Sequence, residues 1–274
     1  MQRFRAGFTA IPPMRALGEA WDRDREAALR LAQQAGVVIG CELVAHGVDF
    51  SFTPVLDLDY GASSVIGNRA LHAGAQATGE LAAALIRGLA RSGVAAVGKH
   101  FPGHGYAAAD SHRAVPVDDR TLDQIMGKDV APYRAAIAAG LAGVMPAHEV
   151  YEKVDADPAG YSRFWLHEVL RGELGFGGVI FSDDLAMEGA STAGGLVDRA
   201  RAAMRAGCDL VLLCQNPDGQ DELLAGLGDA RCDSTRWEKM RARRSGALDC
   251  DSVDYRAAAE ALRGFSGGQQ NILS

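Results

Sequence analysis

A segment near residue 100 concentrates side chains that commonly take part in acid–base or metal chemistry. Residues 99–112 read KHFPGHGYAAADSH and hold three histidines and one aspartate within fourteen residues. Three residues that bend the backbone, Pro102, Gly103 and Gly105, predict a loop rather than a helix.

The residue types leave three interpretations of this loop open. One is a metal site, although the spacing matches no standard zinc pattern; its ligands would be His100, His104, Asp110 and His112. Another is a set of surface histidines without a chemical role. The third is a dyad of Asp110 and His112, in which the carboxylate fixes the tautomer of the imidazole and raises its basicity. Such a histidine titrates near neutral pH, as a general acid or base must.

Two adjacent carboxylates follow a short apolar run in FSDDLAM, residues 181–187. Neighbouring side chains on an extended chain point to opposite faces, so we expect only one of the two to face a site. Capping of the next helix suits Asp184, and it does not exclude Asp183 as a nucleophile. In IGNRAL, residues 66–71, Arg69 is either an ordinary solvated arginine or a group that grips a polar substrate.

The elements that must position these residues form an alternating pattern. Short apolar runs predict five buried strands at residues 48–58, 94–101, 143–150, 178–185 and 209–215. Stretches rich in alanine and leucine predict helices at residues 24–46, 73–92, 121–139, 163–174 and 194–206. The last four helices each end close to a glycine, as helix C-termini tend to: Gly93, Gly140, Gly175 and Gly207. This alternation predicts a parallel sheet with crossover helices, and the uninterrupted apolar strands indicate that both of its faces are covered.

Polar residues occur at the downstream ends of the strands, where a parallel barrel builds its active site; they are Asp57, Lys99, His100, His148, Glu149, Asp183 and Asp184. An open doubly wound sheet would use the same ends, but its phosphate-binding motifs are absent from the sequence. We therefore predict an α/β fold of the TIM-type (β/α)8 barrel class. Because such a barrel needs eight strands and five are found, we expect about the first three to be lacking. The barrel domain is expected over residues 1–228, followed by a helical tail over residues 229–274.

Composition narrows the class of protein. The 274 residues are 48% hydrophobic and 23% charged, as in ordinary globular proteins. A net charge of −7 argues against a nucleic-acid-binding surface. No apolar run approaches the ~20 residues of a membrane helix, and we expect no signal peptide from the N-terminus. The five cysteines form no Cys-x-x-Cys pair, so we expect a reduced, cytoplasmic enzyme.

Taken together, KHFPGHG, the following Asp-Ser-His, GNRA and FSDDLAM resemble the β-N-acetylglucosaminidases of glycoside hydrolase family 3. These are cytoplasmic bacterial enzymes of cell-wall recycling. The resemblance runs from about residue 2 to about residue 215, and the histidine loop distinguishes this branch from the β-glucosidases of the family. The family begins about three strands earlier, which agrees with the strand count. By resemblance, therefore, the chain is an N-terminally truncated member.

The resemblance implies a role for each matching residue. Asp183 matches the nucleophile, while His112 and Asp110 match the acid/base histidine and its aspartate. The residues matching those that bind the sugar are Arg3, Arg69, Lys99 and His100. Hydrolysis would proceed through a covalent glycosyl-aspartate intermediate with net retention. The implied substrate is a terminal β-N-acetylglucosamine, as on 1,6-anhydro-muropeptides, and we expect a monomer that needs neither metal nor cofactor.

Three other functions compete with this one. Another exo-glycosidase of the family, such as a β-glucosidase, would differ in the sugar that it accepts. An inert, sugar-binding remnant is suggested by the missing strands. A metal-dependent hydrolase would lose its activity with a chelator.

Overall fold

The computed structural model describes residues 2–63, 65–107, 115–228, 230 and 234–270. Its α-helices are α1 Met14–Arg23, α2 Arg25–Ala45, α3 Ala75–Arg91, α4 Leu122–Lys128, α5 Ala131–Ala138, α6 Leu196–Ala206, α7 Pro217–Leu227, α8 Ser234–Trp237 and α9 Val253–Gln270. A π-helix spans Phe164–Glu173, and short 3-10 helices lie at Gly67–Arg69, Ala159–Tyr161, Glu188–Ala193 and Glu238–Met240. The strands are β1 Phe50–Ser51, β2 Ala95–Phe101, β3 Val117–Asp118, β4 Gly143–Pro146, β5 Val150–Tyr151, β6 Val179–Asp184 and β7 Leu210–Leu212.

Five of these strands form one sheet in the order β1-β2-β4-β6-β7, and every pair in it is parallel. All five lie within the predicted strand segments, so the α/β fold with a parallel sheet is confirmed. The sheet curves into a half-barrel. Only two residues of the segment 48–58 pair as a strand, and Val55 adds a parallel bridge to Lys99. The segment 143–150 divides into β4 and the start of β5, which pairs with β3 in a separate two-stranded sheet.

The predicted helices are present, with one error. The segment 121–139 is two helices, α4 and α5, rather than one. Pro132, near the start of α5, has no N–H to continue the hydrogen bonding of a longer helix, although it is well accommodated in a first turn. The glycines predicted at helix ends, Gly93, Gly140, Gly175 and Gly207, all have positive φ angles. Helices α1 and α7 were not predicted.

The sheet is covered on both faces, as its apolar strands predict. Ala96, Val144 and Ile180 face the helices in the main core, together with Leu85 and Trp165. The next residue along each strand faces the concave side of the sheet; these are Val97, Met145 and Phe181. This alternation is the two-residue period of a strand.

Residues of the C-terminal segment complete both layers. Met240 is buried on the concave face, and Trp237 packs beside it. Helix α9 packs along α2, with Ala258 and Leu262 buried between them. Among the described residues, α2 is the one helix that by length and composition alone could cross a membrane. Half of its most apolar stretch is buried within the fold.

Candidate active site

The carboxyl ends of the strands bring a set of charged and polar residues to one edge of the sheet. Asp183 lies at the end of β6, Lys99 and His100 near the end of β2, and Asp57 just after the Val55 bridge. His100 Nε2 lies 4.0 Å from Asp183 Oδ2. The Lys99–His100 peptide bond is cis. The predicted gathering of strand-end residues is thus observed.

The two adjacent aspartates of β6 have different surroundings. Asp184 Oδ1 accepts hydrogen bonds from the amides of Ala186 and Cys214, both at 3.0 Å, and so fixes the turn after the strand. Asp183 Oδ1 accepts from the Asp184 amide at 2.8 Å, and its side chain is 17% exposed. Asp184 is therefore committed to the backbone, while Asp183 is available to a ligand.

Asp183 is held in its ionised form. Burial would raise the pKa of this carboxyl, but the neighbouring His100 and His148, the Asp184 amide and Lys99 together outweigh burial and lower it. An ionised, partly exposed carboxylate can attack an electrophilic carbon.

Asp57 supports the second strand of the site. Its Oδ2 lies 2.7 Å from His100 Nδ1, and its Oδ1 accepts from the amides of His100 at 3.1 Å and His104 at 2.7 Å. Burial would raise the pKa of Asp57, but the charge and hydrogen bonds of His100 and His104 lower it to about 2. The carboxylate is fully buried and accepts hydrogen bonds from three donors.

Lys99 stands near Asp183, and Arg69 stands near Lys99. Lys99 Nζ lies 5.6 Å from the centre of the Phe52 ring, and burial lowers the pKa of its ammonium group while Asp183 opposes that shift. Arg69, on the 3-10 helix Gly67–Arg69, is half-buried and donates through Nε and Nη2 to the Val65 carbonyl at 2.9 and 2.7 Å. Its charge is felt at Lys99, which places Arg69 in the same electrostatic environment.

Two further histidines line this edge. His104 Nδ1 hydrogen-bonds Glu149 Oε2, and although burial lowers the pKa of His104, Glu149 outweighs burial and raises it. His148 is 1% exposed, and burial lowers its pKa against the opposing charge of Asp183. In the part of the chain that the structure describes, neither ring nitrogen of His148 has a hydrogen-bond partner.

The structure does not bring Arg3 to this edge. Arg3 is exposed on an N-terminal segment that packs at the far end of α2. There the Thr9 amide donates to the Glu42 carboxylate at 3.0 Å, and the Phe8 ring lies 4.5 Å from that of His46. Because α2 leads into β1, this end of the helix is at the opposite edge of the sheet. The sugar-binding role of Arg3 stays a prediction.

Asp110 and His112 lie outside the described residues, so the predicted dyad has no geometry here. In the rest of the chain, no three His, Cys, Asp or Glu side chains are grouped to hold a metal ion. Sequence reasoning gave no role to Asp57, Glu149 or His148. The sequence placed these three residues at the downstream ends of predicted strands, which was the signal available for finding them.

Comparison with known proteins gives the family. Residues 1–230 match the family model described as "Glycosyl hydrolase family 3 N terminal domain". A protein of Methylobacillus flagellatus named beta-hexosaminidase is 60% identical over 227 residues, which is 83% of this chain and 65% of the relative. A beta-hexosaminidase of Aromatoleum aromaticum is 59% identical over 225 residues, 82% of this chain and 63% of its own length. The chain thus spans slightly less than two thirds of the length of these relatives.

A solved structure shows the same arrangement of elements. NagZ from Neisseria gonorrhoeae, in complex with N-trifluoroacetyl-D-glucosamine, superposes with a TM-score of 0.88 at 47% identity. The superposition covers 96% of this chain and 78% of that one. With most of its length matched by the family model, the chain belongs to glycosyl hydrolase family 3, of which it carries the N-terminal domain.

Proposed function

We propose that this protein is a retaining exo-β-N-acetylhexosaminidase that removes terminal, non-reducing β-N-acetylglucosamine. Asp183 would attack the anomeric carbon and form a glycosyl ester as the leaving oxygen departs, and water would then hydrolyse that ester. Two inversions give net retention of configuration.

The observation that carries this proposal is the contrast between Asp183 and Asp184. Asp183 is ionised, partly exposed and 4.0 Å from His100, whereas Asp184 is bonded to two backbone amides. The relatives support the choice of sugar because they are named beta-hexosaminidases, and the Neisseria structure holds an N-acylated glucosamine.

The remaining parts of the machinery are proposed from the sequence. His112, oriented by Asp110, is the proton donor to the leaving oxygen and then the base for the attacking water. Lys99, His100 and Arg69 bind the sugar hydroxyls; Arg3, which lies at the opposite edge of the sheet, would have to move to join them. Muropeptides from peptidoglycan are the proposed substrates, and the cytoplasm is the proposed compartment.

We also propose that the half-barrel corresponds to the later strands of a (β/α)8 barrel, without about the first three. The high TM-score with a longer chain supports this correspondence. On this proposal residues 1–228 are the catalytic barrel domain, residues 229–274 form a helical tail, and the protein works as a monomer.

The test is release of nitrophenol from p-nitrophenyl β-N-acetylglucosaminide, with the β-glucoside as the competing sugar. We expect release from the first substrate to exceed release from the second, to disappear in Asp183→Asn and to persist in Asp184→Asn. A preference for the glucoside would favour another glycosidase of the family. Loss of activity with a chelator would favour a metal-dependent hydrolase.

A second experiment tests whether the strands of the half-barrel are sufficient for activity. The same assay is run on a chimera in which the unmatched parts of the Methylobacillus flagellatus relative are joined to this chain. Activity in the chimera alone would show that the missing part completes the site. A folded chimera and a folded chain that are both inactive would contradict the proposal and support an inert remnant.

A further inference from the structure

The buried carboxylate of Asp57 accepts from three donors. One oxygen accepts the His100 and His104 amides, at 3.1 and 2.7 Å, and the other lies 2.7 Å from His100 Nδ1. The carboxylate thus ties the end of one strand to the start of the loop that follows the next. It also fixes the plane of the His100 imidazole.

These contacts determine which ring nitrogen carries the proton. An ionised carboxylate can only accept hydrogen bonds, so His100 Nδ1 must be the protonated nitrogen. Burial lowers the pKa of His100 against the opposing effect of the Asp57 carboxylate, which favours the neutral imidazole. A neutral imidazole protonated at Nδ1 has a lone pair on Nε2.

We propose that Asp57 is a positioning residue that holds the His100 imidazole as a hydrogen-bond acceptor, through Nε2, for a hydroxyl group of a sugar bound beside Asp183. This inference rests on the proposed function for the identity of the ligand. The proton on Nδ1 is assigned from the contacts of Asp57, and the lone pair on Nε2 also requires the neutral imidazole that burial favours.

The position of Nε2 fits this role. It lies 4.0 Å from Asp183 Oδ2, which is too far for a direct hydrogen bond and leaves both atoms available to a third group. Lys99, the preceding residue, carries an ammonium group that can only donate. Both side chains also influence the Asp183 carboxylate, so on this proposal a hydroxyl bound there donates to His100 Nε2 and accepts from Lys99 Nζ. Lys99 and His100, adjacent in β2, would then contact the hydroxyl both as an acceptor and as a donor.

An amide at position 57 would disturb this arrangement. The Asp57 carboxylate accepts hydrogen bonds from three donors through its two oxygens. Asparagine has only one acceptor oxygen. If the side-chain oxygen in the Asp57→Asn variant turned toward the backbone amides, its NH2 group would face His100 Nδ1 and favour the tautomer protonated at Nε2. His100 would then present a donor to the site, where Lys99 already supplies one.

The first test is a two-bond ¹H–¹⁵N correlation spectrum of the whole chain labelled with ¹⁵N at histidine, recorded at neutral pH. The His100 signals are those absent from His100→Gln. We expect a protonated Nδ1 and an unprotonated Nε2 in the wild type, and a shift toward protonation at Nε2 in Asp57→Asn. Asp59→Asn is the matched control because Asp59 follows the same strand but bonds Gly61 and Arg15 rather than a histidine; it should leave the pattern unchanged.

A His100 ring protonated at Nε2 in the wild type would overturn the proposal, as would an unchanged pattern in Asp57→Asn. The wild-type spectrum decides the tautomer even if Asp57→Asn does not fold. Added N-acetylglucosamine should then shift the His100 Nε2 signal in the direction of an accepted hydrogen bond. Binding without that shift would contradict the acceptor role. Absence of any binding would count against the proposed function, while the ligand-free spectrum still decides the assignment of Asp57.

Kinetics separate positioning of His100 from support of the loop. We expect Asp57→Asn to lower kcat/KM on the nitrophenyl glycoside by ~10–100-fold, the usual cost of misplacing one polar contact to a substrate. In the His100→Gln background, Asp57→Asn should lower kcat/KM by no more than about twofold. The effects of two substitutions are not additive when one residue acts through the other. An equal loss in both backgrounds would show that Asp57 only supports the backbone.

Discussion

Two buried polar clusters lie near the carboxyl edge of the sheet, and they differ in how completely their charges are paired. In the cluster around Arg120, the guanidinium donates to the Asp118 carboxylate at 2.6 Å, to Asp129 at 2.7 Å and to the Tyr60 hydroxyl at 2.8 Å. The rings of Tyr60 and Tyr106 lie 5.0 and 4.2 Å from the same cation. Burial would lower the pKa of Arg120, but the Asp118 and Asp129 carboxylates outweigh burial and raise it. In the Arg120 cluster one oxygen, Asp129 Oδ1, has no hydrogen-bond partner among the described residues, but every charged group has an opposite charge beside it.

The cluster around Asp183 lacks such close ion pairs. Asp183 has one backbone donor and stands 4.0 Å from His100, and His148 has no hydrogen-bond partner among the described residues. Buried polar groups are normally paired, so groups left unpaired at the edge of a sheet need another explanation. We infer from this difference that one cluster stabilises the fold and that the other binds a ligand.

The largest effect is expected at Asp183, on activity. Asp183→Asn removes the proposed nucleophile, so we expect kcat on the nitrophenyl glycoside to fall by at least about 10³-fold. The melting temperature should change less than it does for a substitution of Arg120. Near-normal turnover in a folded Asp183→Asn protein would remove the distinction between the two clusters.

Arg120 should show the opposite pattern. Arg120→Met leaves the Asp118 and Asp129 carboxylates without their cation, so we expect a loss of about 3–5 kcal/mol in the free energy of unfolding, measured with denaturant. A loss below about 1 kcal/mol, the range of an exposed ion pair, would mean that this cluster does not stabilise the fold as described.

Lys99 belongs to the unpaired cluster and should affect binding. Lys99→Met removes a charged donor to the substrate, which is worth about 1.5–3 kcal/mol, or ~10–150-fold in kcat/KM. The free energy of unfolding should stay the same or rise slightly because burial of the ammonium group is unfavourable. A marked fall in stability without a kinetic effect would place Lys99 in the structural class instead.

The pH dependence of stability sharpens the comparison at Asp57. The pKa of Asp57 in the folded protein is about 2, below its ordinary value of 3.8. The ionised carboxylate therefore contributes to the free energy of unfolding above pH ~5, and this contribution is lost as the pH falls through about 4 toward 2. The difference between these two pKa values corresponds to about 2 kcal/mol. Asp57→Asn should reduce the loss of stability between pH 5 and pH 2 by about that amount, measured by denaturant unfolding at each pH. Equal acid sensitivity of the two proteins would contradict the low pKa of Asp57.

The smallest effect is expected at an exposed ion pair, which serves as a baseline. Arg134 and Glu173 are paired at 2.6 Å, and both side chains are about half exposed. Glu173→Gln should change the free energy of unfolding by less than about 0.5 kcal/mol and leave activity unchanged. A larger effect would show that the difference between the two buried clusters cannot be read from burial and pairing.

The parallel strands and most of the helices could be predicted from the sequence because the patterns that indicate them lie within short segments. Uninterrupted apolar runs marked the five parallel strands, and glycines at 93, 140, 175 and 207 marked helix ends where a positive φ angle is needed. Polar residues that follow apolar strands marked the edge where Lys99, His100 and Asp183 meet.

The rest depends on contacts between distant parts of the chain. Asp57 and His100 are 43 residues apart, and His104 and Glu149 are 45 apart, so no spacing pattern could indicate their pairing. The packing of Met240 on the concave face of the sheet was equally inaccessible, since a polar tail gave no local sign of it.

The central claim, that Asp183 forms the covalent intermediate, is tested most directly by trapping that intermediate. The protein is incubated with 5-fluoro-N-acetylglucosaminyl fluoride, from which attack by a carboxylate expels the anomeric fluoride and forms a slowly hydrolysed glycosyl ester. We predict that digestion and mass spectrometry place the sugar on Asp183 and that Asp183→Asn forms no adduct. A sugar attached to Asp184, or turnover of β-N-acetylglucosaminides with inversion and no adduct, would contradict the account.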